Sequence, residues 1–258
     1  MRFARDTMLI TRRLLRSARR NPGPAYITPT IIPLALIGII SQVFGVSAGL
    51  PGFPVDDFVD WMLPGMVIMT GMFGAGVTAV GLIGDHGSGY LDRLRLLPVS
   101  PASVLAGTAL FDAVRTVPPA LAVLGVGLAL GAPLSAGPLG GAALVAVAVL
   151  WSLTWNGLFL LVGLRTLDEQ AVQALVPLFL PVWWTSSVLL PEHLMPGWIA
   201  AISRVNPISL LVDAVRPLAV GGGVDGSDVL VALAVISALL VALQWSTARL
   251  YLGLVRAS

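Results

Sequence analysis

The chain has 258 residues, 57% of them hydrophobic and 11% charged, with a mean hydropathy of +0.92, which excludes an ordinary soluble domain and indicates an integral membrane protein. It contains no cysteine, and all 15 basic residues are arginine. A disulfide scaffold, a thiol nucleophile, a Schiff-base lysine and a Walker A lysine are therefore excluded, so any ATP chemistry must come from another polypeptide.

The net charge of +2 is small for so apolar a chain, and the arginines read as determinants of membrane orientation rather than a nucleic-acid surface. Seven of them fall in Met1–Arg20, where Phe3, Ile10 and Leu14 share one helical face and Arg5, Arg12 and Arg16 lie roughly opposite. This predicts an N-terminal amphipathic helix within residues 1–24, lying on an anionic leaflet with its apolar face down. The remainder, 25–258, reads as one membrane unit of six spans. The first, Tyr26–Val46, has 21 residues, too long for a signal-peptide core although Val46-Ser47-Ala48 faintly resembles a cleavage site. A second span covers about Trp61–Gly84. Gly71, Gly74, Thr78 and Gly81 form a small-residue stripe along it, suited to close helix packing inside one bundle.

Residues 84–100 are the one long polar interruption in the first half. Gly87 and Gly89 allow a turn, Leu91, Leu94 and Leu97 recur at helical spacing beside Asp92, Arg93 and Arg95, and Pro98 stops the rod. Ser100-Pro101 then starts a third span to about Leu130, with a kink expected at Pro118-Pro119. A fourth span covers about Leu139–Leu164 and a fifth about Ala171–Leu190. Residues 191–228 break the rhythm: the apolar pieces Trp198–Ile202 and Ile208–Val212 are each too short to cross. Two re-entrant helices joined at Asn206-Pro207 fit that pattern. A last span runs over about Val229–Ala248. With six spans both termini share a side. Twelve arginines fall on that side, against Arg204 and Arg216 on the other, which places the termini and the 84–100 loop in the cytoplasm.

The string G-Y-L-D-R-L-R-L-L-P-V-S followed by L-A-G-T-A-L-F-D-A-V-R resembles the cytoplasmic loop and third span of ABC-2-type export permeases, in particular the daunorubicin/doxorubicin-resistance subgroup. The strings S-S-V-L-L-P-E-H-L-M-P-G-W-I-A and R-V-N-P-I-S-L-L-V-D-A-V-R-P-L resemble the same subgroup. The resemblance implies an all-α membrane protein with an elbow helix at the N terminus, a coupling helix, and re-entrant helices before the last span. It implies that Asp85, Gly89, Tyr90, Leu91, Asp92, Arg93, Leu94, Arg95, Leu97 and Pro98 engage a separate ATPase. Two such ATPase subunits, carrying ATP and Mg, would work with two permeases, identical or homologous, in the cell membrane. Glu192, Pro196, Trp198, Asn206, Pro207, Asp213 and Arg216 fall in the re-entrant segment.

Within the spans, Asp112 and Arg115 are three apart and can pair on one helix face, either as a self-neutralised anchor or as part of a translocation path. Asn156, Gln173 and Gln42 are candidates for interhelical hydrogen bonds. Trp183 and Trp184, near Phe179, could form either an aromatic substrate surface or an interfacial belt. No catalytic constellation or metal-ligand spacing appears, and the Asp56, Asp57, Asp60 cluster reads as a solvated loop. The function expected is export of hydrophobic drugs, secondary metabolites or amphipathic lipids. A polysaccharide exporter of the same class, a proton-coupled carrier centred on Asp112, and a lipid-modifying membrane enzyme are the competing readings.

Overall fold

The computed structural model describes residues 2–89, 100–221 and 225–257. Helix α1 (Arg2–Arg20) leads through a single π-helical turn, Gly23–Ile27, into α2 (Thr28–Phe44), and the two together make an apolar first span of 22 residues. Helix α1 is amphipathic as expected, and part of its apolar face packs on the bundle. Thr11 and Ala18 are buried, and Leu14, Leu15 and Tyr26 pack with Ala18, Ala25 and Phe111, so the bundle takes up Ile10 and Leu14 of that face while Phe3, and Met8 and Leu9 beside it, stay exposed.

The second span, Phe58–Asp85, is two helices, α3 (Phe58–Gly74) and α4 (Gly76–Gly87). Asp57 starts α3 by accepting a hydrogen bond from Val59 N at 2.8 Å, which satisfies one of the orphan amides of the first turn. Every residue from Trp61 to Met72 is buried, because α3 is the axis of the bundle and packs against α2 and three helices that follow later in the chain. The stripe expected on this span divides in function: Gly71 faces a neighbouring helix, Gly74 and Thr78 face buried polar groups, and Gly81 meets nothing.

Helices α5 (Pro101–Ala129) and α6 (Gly137–Thr166) form the third and fourth spans. Helix α5 continues through Pro118 and Pro119. The C terminus of α6 is closed by Leu167 at φ 51°, whose N–H bonds Gly163 O at 2.8 Å.

The expected fifth span is not one helix. It consists of α7 (Glu169–Gln173) and α8 (Leu175–Trp184), followed by turns to Leu190. Pro177 has no N–H to offer Gln173 O, and α7 ends at that residue. Helices α9 (Gly197–Val205) and α10 (Pro207–Val220) meet at Asn206 with an 80° bend. Pro207 pushes Asn206 into extended backbone, and the Asn206 side chain then caps α10 through Ile208 N at 2.9 Å. Helix α11 (Gly226–Ala257) begins at Asp225, whose carboxylate accepts from Ser227 N at 2.8 Å and Ser227 Oγ at 2.6 Å; those bonds hold its pKa below the usual range.

Among the described residues, five helical segments are long and apolar enough to cross a membrane, and a sixth is added if α9 and α10 count as one bent span. The chain is thus an all-helical integral membrane protein. The last span is the least enclosed: only 11% of its apolar window is buried, against 67% for the second.

Candidate functional site

Three polar assemblies stand out from this apolar frame, at the shoulders of the 84–100 loop, in the middle of the bundle, and under the α9–α10 bend.

At the loop, α1 grips both flanking helices. Arg13 forms a two-pronged pair with Asp85 near the end of α4, at 2.7 and 2.5 Å. Two residues earlier, Thr11 Oγ1 lies 2.9 Å from Thr7 O and 3.1 Å from Gly107 O, a carbonyl in the second turn of α5. The helices can approach because Gly107 has no Cβ: one placed there would lie 2.7 Å from Ile10 Cγ2. Of the residues assigned to coupling, Asp85 and Gly89 are described, the latter at φ 68°, a left-handed turn conformation that glycine adopts freely. Tyr90, Leu91, Asp92, Arg93, Leu94, Arg95, Leu97 and Pro98 lie outside the described residues.

The middle assembly is built on Asp112 and Arg115, successive in the i, i+3 register of α5 and wholly enclosed. Arg115 Nε donates to Asp112 Oδ1 at 3.0 Å and Nη1 to Ala25 O at 3.3 Å. Asp112 Oδ2 accepts from Thr78 of α4 at 2.7 Å and from Asn156 of α6. Thr116 Oγ1 reaches Ser152 Oγ at 2.9 Å, and Gln244 of α11 donates to Leu153 O at 2.9 Å with Asn156 Oδ1 at 3.5 Å. Five elements therefore converge on one neutralised charge pair. Arg115 Nη2 alone has no hydrogen-bond partner, and it lies within 2.5 Å of where a Cβ on Gly74 would be. Of the three amides expected to bond between helices, Asn156 does so. Gln42 and Gln173 are exposed, and Gln244 takes the place assigned to them.

The third assembly gathers the re-entrant segment around Arg216. Sequence position makes Arg216 an outward charge, but it is buried, with its Cζ 3.6 Å from the centroid of the Trp61 ring. It donates to Asp213, to Ser187 O at 2.7 Å and to Trp61 O at 3.4 Å. Each of its three nitrogens finds an acceptor and the guanidinium face meets the Trp61 ring, which offsets the cost of taking the charge out of water. Ser187 Oγ donates to Asp213 at 2.7 Å, Ser187 N to Ser209 Oγ at 3.0 Å, and Val188 fills the notch left by Gly65 on α3. Beside this knot is a cavity of 190 Å³ lined by Glu192, Ser203, Arg204, Ser209, Asp213 and Asp228 among others. Glu192 pairs with Arg204 at 2.6 Å on the exposed rim, Asn206 donates to Val182 O at 2.6 Å, and Pro196 precedes the first turn of α9. Trp198 is two-thirds exposed.

Trp183 and Trp184 do not present a common surface. Their rings meet edge to face at 5.4 Å, Trp183 is buried and Trp184 is half exposed. The interior aromatic row is Trp151, Trp155, Phe179 and Phe159, with Trp155 and Phe179 only 4.0 Å apart. Trp151, Trp155 and Phe159 recur at i, i+4, i+8 on one face of α6, a spacing the sequence carries, and only the closing contact from Phe179 of α8 is made by the fold.

Residues 5–219, from α1 to near the end of α10, match the ABC-2 type transporter family. The chain belongs to that family. The permease is 29% identical over 224 residues to a daunorubicin resistance ABC transporter permease protein of Streptomyces coeruleorubidus, covering 86% of this chain and 77% of that one. It is 28% identical to a probable doxorubicin resistance ABC transporter permease protein of Mycobacterium tuberculosis, over 86% and 79% of the two chains. A putative transport permease of Cyanophora paradoxa shares 23% identity over 83% of this chain and 74% of its own. These relatives are named as transport permeases, and a transport role follows for the permease described here.

Proposed function

We propose that the permease is the membrane subunit of an ATP-driven exporter that moves hydrophobic drugs, secondary metabolites or amphipathic lipids out of the cell. ATP and Mg would be bound by two separate ATPase subunits, and two permease chains, identical or homologous, would enclose the route. The observation that carries the reading is the grip of α1 on both shoulders of the 84–100 loop. A segment that receives a push must be braced on each side, and the Arg13–Asp85 pair and the Thr11–Gly107 contact are such braces. Burial of Arg216 supports the cytoplasmic placement of both termini, because it leaves Arg204 as the one described exposed arginine on the opposite side. The drug-resistance relatives support the substrate class. Asp112 speaks against a proton-coupled carrier, since its carboxylate is already occupied by Thr78, Arg115 and Asn156.

The test is to purify the tagged chain from its native membrane in mild detergent and ask whether a Walker-type ATPase accompanies it. We expect copurification with the native chain and its loss in the Leu94→Asp, Leu97→Asp double variant while the permease stays folded. Absence of an ATPase under conditions that preserve known complexes of this kind would overturn the reading.

A further inference from the structure

We infer that the second span contains a built-in hinge at Gly74-Ala75, with the Arg115 guanidinium as its pivot, and that α4 swings on it relative to α3. The break between these helices is unusual because no proline accounts for it: the backbone leaves α-helical bonding at Ala75, whose N–H reaches only to Met72 O at 3.3 Å. What occupies the break is Arg115. A Cβ on Gly74 would lie 1.6 Å from Nη1 and 2.4 Å from Cζ, so the guanidinium sits in the hollow that glycine leaves.

The pivot is held from outside the moving pair. Arg115 and Asp112 belong to α5, and Asp112 is tied through Asn156 to α6. On the other side of the break, α4 packs on the core through Ala79, Leu82 and Ile83 and meets the pivot cluster itself through one hydroxyl, Thr78 to Asp112 at 2.7 Å. A hydroxyl can rotate and exchange acceptors at little cost, whereas the guanidinium has a fixed planar fork. The unpartnered Nη2 is a donor waiting for an acceptor, which a carbonyl of the broken turn would supply when α4 moves. The two halves also differ in enclosure. Helix α3 is buried all round from Trp61 to Met72, while α4 buries one face, Thr78, Ala79, Leu82 and Ile83, and exposes another, Gly81, Gly84 and Gly87. Helix α4 leads directly into the 84–100 loop and is clasped by α1 at Asp85. A force on the loop thus reaches the bundle through the freer half of a broken helix. Arg115 is a positioning residue in this arrangement.

The hinge rests on the export reading, and its test separates the two. The chain has no native cysteine, so paired spin labels report only where they are placed. One pair, Ser88→Cys with Thr166→Cys, joins the end of α4 to the end of α6, and a second, Asp56→Cys with Leu139→Cys, joins the opposite ends of α3 and α6; all four positions are exposed. Labelled chains are diluted with unlabelled ones in the complex with the ATPase, with and without trapped nucleotide. The expected result is a change of roughly 2–5 Å in the first distance and none in the second, a helix-shift amplitude. Equal changes in both distances, or none while the ATPase turns over, overturn the hinge and leave the export reading standing. Failure of any ATPase to bind overturns both. A folded Gly74→Ala variant, which displaces the guanidinium, should lose at least half of the change. An undiminished change there would remove Arg115 as the pivot, and the unmodified chain decides the hinge even if that variant does not fold.

Discussion

The Asp112–Arg115 pair shows how a single position can be costly to alter without being catalytic. Removing one member of a buried pair strands a charge in a low-dielectric interior, a loss of about 3–5 kcal/mol, whereas replacing both by apolar groups is often close to neutral. Asp112→Ala is therefore expected to lower the thermal stability of the purified permease sharply, and Asp112→Leu combined with Arg115→Met to recover most of it, as read by thermal unfolding in detergent. A double variant as unstable as the single would show that the hydrogen bonds to Thr78, Asn156 and Ala25 matter more than the charge. The pair and Asn156 are legible in the sequence because i, i+3 spacing on a helix and a lone amide in an apolar run both have few alternatives. The roles of Gln42, Gln173 and Gln244 are not, since composition does not say which way a helix is rotated. Arg216 is hidden for a different reason: its partner Trp61 lies 155 residues away in the chain. The hollow at Gly74 is likewise made by tertiary contact and leaves no local mark.

At the level of elements, apolar runs locate the first four spans to within a few residues, and the start of the last, whose helix continues nine residues past the expected Ala248. The fifth is read as one helix because the run Ala171–Leu190 carries no charge, and its two prolines change the composition little although Pro177 interrupts the hydrogen bonding. Helix α1 is a second instructive case. Its two faces are plain in the sequence, but an apolar face is satisfied equally by lipid or by another helix, and only the glycine at position 107 hints at the latter. Gly107→Val would push against Ile10 and the Thr7 carbonyl, 2.7 and 3.2 Å from the added Cβ, and overpacking of this kind typically costs about 1–3 kcal/mol. The expected outcome is faster tryptic cleavage at the exposed arginines of α1, with the membrane spans intact. Gly81→Ala, where nothing lies within 4 Å, serves as the control and should leave the cleavage rate unchanged.

For the whole molecule, enclosure is graded. Helix α3 is sealed on all sides, while the first and last spans keep most of their apolar windows uncovered, 22% and 11% buried. Such surfaces are ordinary against lipid and equally suited to a second copy, as the proposed pairing of two permease chains requires. The clasp of α1 carries a consequence for biogenesis. Its contacts at Asp85 and Gly107 are made by residues synthesised long after α1 itself has left the ribosome. The first helix made is thus among the later ones to dock, and until α5 emerges its arginine-rich face and its apolar face are both without a seat. Nascent chains arrested before Gly107 should yield α1 rapidly to trypsin, and chains arrested well beyond Phe111 should resist. Equal sensitivity at both lengths would mean that α1 is seated on the membrane before the bundle exists to receive it.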